Sequence, residues 1–484
     1  MALRPKQRDM HVSSSRPLPA LGTTFRAVER LVAAGPFAVL VALAAAQGGY
    51  FPAAWRWSAL ALFALLAVAA LLGAYPRLGR LELGTLVAMA ALAGWIALSP
   101  VWSVDPHASR LELQRALVYV GGLWLALVVA APRRAERVVH GLLLALALVV
   151  AGSLAQWTLA GGGTLEVPGQ GILLVGPLGY ANALGILAAL AALLALGVAA
   201  HAAAGRACAA AAAVVPVCHA VVLLAASRGA WIALAGGLLF ALALERSRGR
   251  LLVAVLATTP ASLVALAAVE RWSLFSGTAA ARVELVLVLA GAGGLAACCA
   301  LASSGLRLRR RGSRAVIAAL LGAAALAALG GVLVRPPSAS LGTRGHYWRV
   351  ALEQYRDHPL LGSGAGTFEG FWLESLPVPE GVRDAHSLYL ETLAELGPMG
   401  LLLVLVALGL PLVAARSARH ARFGPIAAGT YLAFLLHAGI DWDWEMPAVT
   451  LAGLLAGAAL LASRPRPGHP FEGSSTSRHR ERCR

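Results

Sequence analysis

The chain has 484 residues, of which 59% are hydrophobic and only 13% charged, against about 25% charged in an ordinary soluble domain. That much apolar surface cannot be covered in one water-facing globule, so the expected solvent is lipid, where stretches of about 20 apolar residues span as helices. The net charge of +17 comes from 40 basic residues, with Lys6 the only lysine, against 23 acidic ones; its placement along the chain, taken up below, argues for topology and against nucleic-acid binding.

Residues 1–30 are polar and basic and lack a short apolar core followed by a cleavage site, so no cleaved signal peptide is expected. Apolar segments then follow at 31–49, 57–74, 82–99, 112–131, 138–160, 172–200, 207–226, 229–245, 251–269, 283–303 and 315–334. Three more lie at 394–415, 424–440 and 446–463. The expected fold is therefore all-α and polytopic, with 12 to 14 transmembrane helices, because hydrocarbon forces every backbone group to be satisfied within its own segment. Only Ser227-Arg228-Gly229 separates the seventh segment from the eighth, which predicts a tight turn.

A consistent topology places 29 of the 40 basic residues on one side, in 1–30, 77–80, 133–137, Arg206, 246–250, 307–314, 416–422 and the tail from Arg464. The other side holds the remaining 11, with 16 of the 23 acidic residues. By the positive-inside rule the basic side, with both termini, is cytoplasmic. The organisation is then a cytoplasmic segment 1–30, a helix bundle 31–334, an extracytoplasmic loop 335–395, C-terminal spans 396–463 and a cytoplasmic tail 464–484. The five cysteines, four of them in apolar segments, have no disulfide or metal spacing.

A loop of some 60 residues between spans is unusual unless functional. Within it, 344–357 reads as a helix with Trp348, Ala351, Leu352 and Tyr355 on one face and an Arg349–Glu353 pair on the other. This helix is expected to lie on the membrane surface with its aromatics down. His358-Pro359 stops it, and Gly362, Gly364 and Gly366 permit a tight turn. A second helix starts near 384–387, capped by Asp384 or Ser387, and runs into the next span. His386 then sits at a helix N-terminus. The positive end of the dipole disfavours the imidazolium, so the ring stays neutral and able to accept a proton.

With no lysine beyond Lys6, a lysine-containing phosphate loop is impossible, and no zinc-type or nucleophile-elbow motif occurs. No metal and no cofactor is expected. Asp441-Trp442-Asp443 spells D-x-D. It reads either as tryptophans at the membrane interface or as Asp441, Asp443 or Glu445 contacting an acceptor or a metal. Glu391 and Glu395 share a helix face near the membrane, as functional groups or solvated ones. Asn182 lies in a Gly/Pro-broken span, where it could simply satisfy a backbone group.

In these motifs the chain resembles the superfamily of bacterial O-antigen ligases and O-antigen polymerases. The ligase motif H-[NSQ]-x9-G-x-x-[GTY] reads His386-Ser387, nine residues, then Gly397-Pro398-Met399-Gly400. Arg344-Gly-His-Tyr-Trp348 and His358-Pro359-Leu-Leu-Gly-Ser-Gly364 are similar to the family's arginine helix and the turn after it. Ser227-Arg228-Gly229-Ala230 resembles its outward arginine, with Ile232 where leucine is common. Gly176-Pro177-Leu-Gly-Tyr-Ala-Asn182 and Trp102-Ser103-Val-Asp105-Pro106 add to the likeness, which covers roughly 95–460.

The resemblance implies a glycosyltransferase of the bacterial inner membrane. It would move a glycan from a polyprenyl-pyrophosphate carrier to a glycan, lipid or protein acceptor at the outer face. Arg228, Arg344 and Arg349 are then the candidates for the pyrophosphate, since a guanidinium binds phosphate oxygens bidentately. His386 is the candidate base. Glu391, Glu395, Asp441, Asp443 and Asn182 are candidate acceptor or supporting residues. The alternatives are a polymerase or protein O-glycosyltransferase of the same superfamily, and a polysaccharide flippase or secondary transporter, which would carry ionisable groups near mid-membrane.

Overall fold

The computed structural model describes residues 19–74, 78–130, 135–167, 171–273, 278–304, 340–378 and 381–465. The apolar segment 315–334, the basic segment 307–314 and the ends of the chain lie outside these described residues. The helices are α1 (Pro19–Ala45), α2 (Pro52–Leu71), α3 (Arg80–Leu98), α4 (Pro106–Val129) and α5 (Ala135–Ala160). A hairpin, β1 (Thr164–Val167) and β2 (Gly171–Leu174), precedes α6 (Ala181–His201), α7 (Gly205–Leu224), α8 (Arg228–Leu244), α9 (Arg248–Ser273) and α10 (Ala279–Ser303). Then come α11 (Ser340–Asp357), α12 (Phe368–Ser375), α13 (Leu388–Val413), the single turn α14 (Ala415–Ala418), α15 (Gly424–Ala438) and α16 (Pro447–Ala462).

The protein is an all-α polytopic membrane protein. Ten described helices are long and apolar enough to cross a membrane, and α8, α15 and α16 are shorter apolar helices. α6 runs at the centre, buried along almost its whole length and packed on α5, α7, α8, α9 and α15. Lipid is as apolar as leucine, so burial alone does not hold such helices together and close backbone approach must. Alanine and glycine provide it. A Cβ on Gly237 of α8 would lie 2.5 Å from the Gly429 carbonyl oxygen of α15, and one on Gly429 would lie 2.3 Å from that of Gly237.

One expected element differs. The segment 172–200 is not one helix: residues 171–174 pair antiparallel with 164–167, and Gly176-Pro177 makes a turn before α6 starts. The tight turn at 225–227 forms as the sequence predicts, with Ala226 at φ +50° and the Ser227 hydroxyl capping α8.

The ends of the bundle differ in chemistry. At one end Arg422 donates to the His201 carbonyl and pairs with Glu136 at 3.5 Å, Arg246 meets His420, and Arg464 pairs with Glu82. These arginines lie in segments that the charge count assigns to one side. The other end carries α11, α12 and the turns that make the site.

Candidate functional site

The site is assembled by a glycine turn. Gly362, Gly364 and Gly366 all have positive φ. A Cβ on Gly364 would lie 2.0 Å from the Ser103 hydroxyl, and one on Gly362 would lie 2.3 Å from the Glu395 backbone, so no side chain fits. The turn is wedged between the start of α4 and a kink in α13 at Gly397, φ +66°. Trp102 donates to the Leu361 carbonyl, Ser109 to that of Ala365 and the Val104 N–H to that of Ser363. Glu395 accepts from the backbone N–H groups of Gly366 at 2.8 Å and Phe368 at 3.0 Å. Glu395 is thus buried and clamps the turn.

The expected orientation of α11 is corrected, because its aromatics pack on protein. Its buried face is Tyr347, Val350, Ala351 and Gln354, while Leu352 is exposed. That face meets Phe368 and Trp372 of α12 and Val382, Ala385 and Ala394, with Trp348 and Tyr355 partly buried against the same group. The loop has a small core of its own, which competes for the aromatics more effectively than the membrane interface does. The helix carries Arg344 toward the bundle. Arg349, five residues on and so about 140° round the helix, is exposed and stands apart from the site.

Asp441 is the hub. It is 1% exposed and its carboxylate accepts four donors. These are Arg344 Nη2 at 2.7 Å, Asn182 Nδ2 at 2.8 Å, the Tyr180 hydroxyl at 2.6 Å and the Trp442 N–H at 3.0 Å. Burial, reinforced by the Asp441 charge, holds the Tyr180 hydroxyl well above its usual range, so it stays a donor. Asn182 therefore bonds side chains, not a broken backbone, and the Asp441 carboxylate is occupied by these four donors.

His386 joins this cluster through its ring. It stacks on Trp442 at 5.6 Å between centroids and lies 4.7 Å from Tyr347. Its Nδ1 is 2.9 Å from the Asp384 carbonyl oxygen. A carbonyl only accepts, so Nδ1 carries a proton, and in the neutral tautomer the lone pair is then on Nε2. The residue has φ +54°, uncommon for a side chain other than glycine, so the structure holds it under backbone strain. α13 begins just after it with Ser387 as N-cap, but the Ser387 side chain makes no capping bond. Glu391 instead accepts the Ala385 N–H at 2.6 Å.

Arg228 is exposed at the start of α8. Its turn packs on the end of α15, where a Cβ on Gly229 would lie 3.0 Å from His437 Nε2. His437 Nδ1 in turn pairs with Asp443 at 2.7 Å. Asp443 is 1% exposed; burial raises its pKa while His437 opposes the rise. Arg344, His386, Asn182 and Asp441 thus come together, Asp443 and the Arg228 turn flank them, and Arg349 does not join.

A second, acidic cluster adjoins. Arg115 pairs with Glu112 and, at 3.3 Å, with Glu445, and lies over Trp55. One carboxylate oxygen each of Asp384, Glu391 and Glu445 lie within 4.8 Å of one another, a spacing that could hold a hard cation. Burial pushes Glu445 up to about 7 although Arg115 opposes it. Burial and then the Glu445 charge push Asp384 up as well. Glu112, Arg115, Tyr180 and Asp384 are not among the site residues that the sequence suggests. The signal exists for two of them, because Glu112 and Arg115 are ionisable groups inside an otherwise apolar span.

Residues 211–405 match the family model described as O-antigen ligase. In this segment the chain is similar to the O-antigen ligase and polymerase superfamily. The matched segment includes Arg228, Arg344, Arg349, His386, Glu391 and Glu395, whereas Asn182, Asp441 and Asp443 fall outside it. No curated protein matches the chain. Members of the superfamily are glycosyltransferase-like ligases and polymerases, and the similarity supports an enzymatic role.

Proposed function

We propose that the protein transfers a glycan from a polyprenyl-pyrophosphate carrier to an acceptor hydroxyl at the outer face of the cytoplasmic membrane. The observation that carries this is the convergence on Asp441-Trp442 of an arginine and a tautomer-fixed histidine. In the reaction the acceptor oxygen attacks the anomeric carbon, the bond from that carbon to the pyrophosphate oxygen breaks, and the hydroxyl proton passes to His386 Nε2. Charge then develops on the leaving pyrophosphate. Arg344, held by Asp441, meets it with a preorganised donor, which costs no reorganisation as the bond breaks. Arg228, exposed on the flanking turn, is the second cation assigned to the phosphates. The bundle serves as the scaffold, and the strained His386 backbone is fixed by the rings on either side.

The test uses purified protein in liposomes with a polyprenyl-pyrophosphate glycan and a cell-envelope extract. Wild type should release polyprenyl pyrophosphate and label an acceptor. His386→Ala should insert normally and lose transfer by about 10²–10⁴-fold, and Arg344→Ala should lose it too. Normal transfer by His386→Ala would falsify its assignment as base, and lipid crossing without bond cleavage would make the protein a transporter. The acceptor that becomes labelled distinguishes ligase, polymerase and protein transferase.

A further inference from the structure

A cleft of about 620 Å³ opens between the first turns of α2 and α4 and helix α12. This is within the range of about 300–1,000 Å³ typical of small-molecule sites. Two aromatic rings, Trp55 and Phe371, line it. So do four carboxylates, of Asp105, Glu112, Glu369 and Glu374, with Arg383 as the cation among its lining residues. It adjoins a polar cavity of about 40 Å³, which shares Glu112, Glu369 and Arg383 with it and adds Tyr50, Arg115, Asp384, Glu391 and Glu395. Asp384 is 91% buried, being 9% exposed, and its Oδ2 has no hydrogen-bond partner. None of Arg344, Asn182, Tyr180 and Asp441 lines either space.

The charge decides which ligand fits. Arg383 is already paired with Glu369 at 3.1 Å. Glu112 is likewise paired with Arg115, so Asp105 and Glu374 are the surplus carboxylates; that surplus repels a pyrophosphate, and the cleft does not suit the lipid carrier's head. Carboxylates accept hydrogen bonds from hydroxyl and ammonium groups, and the partly exposed Phe371 ring offers an apolar face of the size of a sugar ring, whereas Trp55 is buried beneath Arg115. The cleft also reaches the base. Asp384, which lines the inner cavity, is the residue whose carbonyl fixes His386 Nδ1. Tyr50 of the same cavity packs edge-on against Trp442 at 5.1 Å, and Trp442 stacks on His386.

We propose that this cleft is the acceptor subsite, and that it takes a neutral or amine-bearing saccharide in preference to a phosphorylated one. The inference rests on the glycosyl-transfer reading above. It separates the two substrates by charge: the anionic carrier lies on the arginine side of Trp442 and the acceptor on the carboxylate side.

The test is equilibrium binding to full-length protein in nanodiscs, with methyl glucosaminide, methyl glucoside and glucose 6-phosphate as probes. Polyprenyl pyrophosphate binding is measured in parallel. The glucosaminide should bind at least tenfold more tightly than the phosphate, with the glucoside between them. The double variant Glu369→Gln/Glu374→Gln changes one half-exposed and one exposed side chain and should weaken glucosaminide binding about tenfold. Arg344→Ala should bind the glucosaminide as wild type does. Equal or tighter binding of glucose 6-phosphate, or saccharide binding that is lost in Arg344→Ala but indifferent to the double variant, overturns the proposal. Saccharide binding as expected with no polyprenyl pyrophosphate binding would instead sink the transfer reading and leave the cleft standing as a sugar site.

Discussion

Two acidic centres lie side by side at one end of the bundle, and they are built on opposite principles. Around Asp441 a single buried carboxylate meets four donors from separate parts of the chain. Around Arg115 the carboxylates outnumber the cations. Glu112, Asp384, Glu391 and Glu445 gather there, and Asp384 and Glu445 each keep a buried oxygen without a partner. A charge that is fully matched fixes geometry, because no proton or ligand is needed to complete it. A cluster with surplus carboxylates must be completed by protons, by a cation or by a ligand's donors. The first centre is therefore suited to hold Arg344 still, and the second to respond to what binds and to pH.

The contrast can be broken most strongly at Asp441. Asp441→Asn keeps the shape and removes the charge that anchors Arg344, and small misplacements of a positioning group cost about 10²-fold. Transfer kinetics should show a loss of that order, with little further loss when Arg344→Lys is added, since both act through one contact. Independent, multiplying losses would show that Asp441 does not work through Arg344.

At the acidic centre the expected effect is on stability. Arg115→Met leaves Glu112 and Glu445 buried without their counter-charge, which should cost about 3–5 kcal/mol. Thermal unfolding in detergent would read this, and an unchanged melting temperature would mean that the carboxylates are already neutral.

A smaller effect is expected from pH. Glu445 holds its proton more tightly in the fold, up to about 7, than in the unfolded chain. Its contribution is fully present below pH ~4.5 and is lost as pH rises through about 7. The melting temperature should therefore fall between about pH 5 and about pH 8, and Glu445→Gln should flatten that slope. An absent slope would place the carboxylate in the ionised form throughout. The smallest effect is expected at Arg349, exposed and turned away from Arg344: Arg349→Ala should change transfer less than about twofold, as is usual for surface substitutions. A loss matching that of Arg344→Ala would mean that a substrate reaches the outer face of α11.

Periodicity and charge make the membrane class, the tight turn before α8, the glycine turn and the helix after His386 legible, because each is a local property of consecutive residues. Composition alone determined that the chain lives in lipid, and the resemblance of its loop motifs to the O-antigen ligases pointed to His386 and Arg344. What only the tertiary structure decided is which partners those residues have. Asn182 and Asp441 are separated by 259 positions, and they meet Arg344 because α6, α11 and the turn after α15 come to the same place. The buried face of α11 is hidden from the sequence for the same reason: the pattern shows that the helix has aromatics, but whether they face lipid or Trp372 depends on a core formed with residues farther along the chain. Glu395 reads as a charge near a membrane until the fold brings two backbone N–H groups to it. A sequence records which groups need a partner; distance along the chain hides which partner folding supplies.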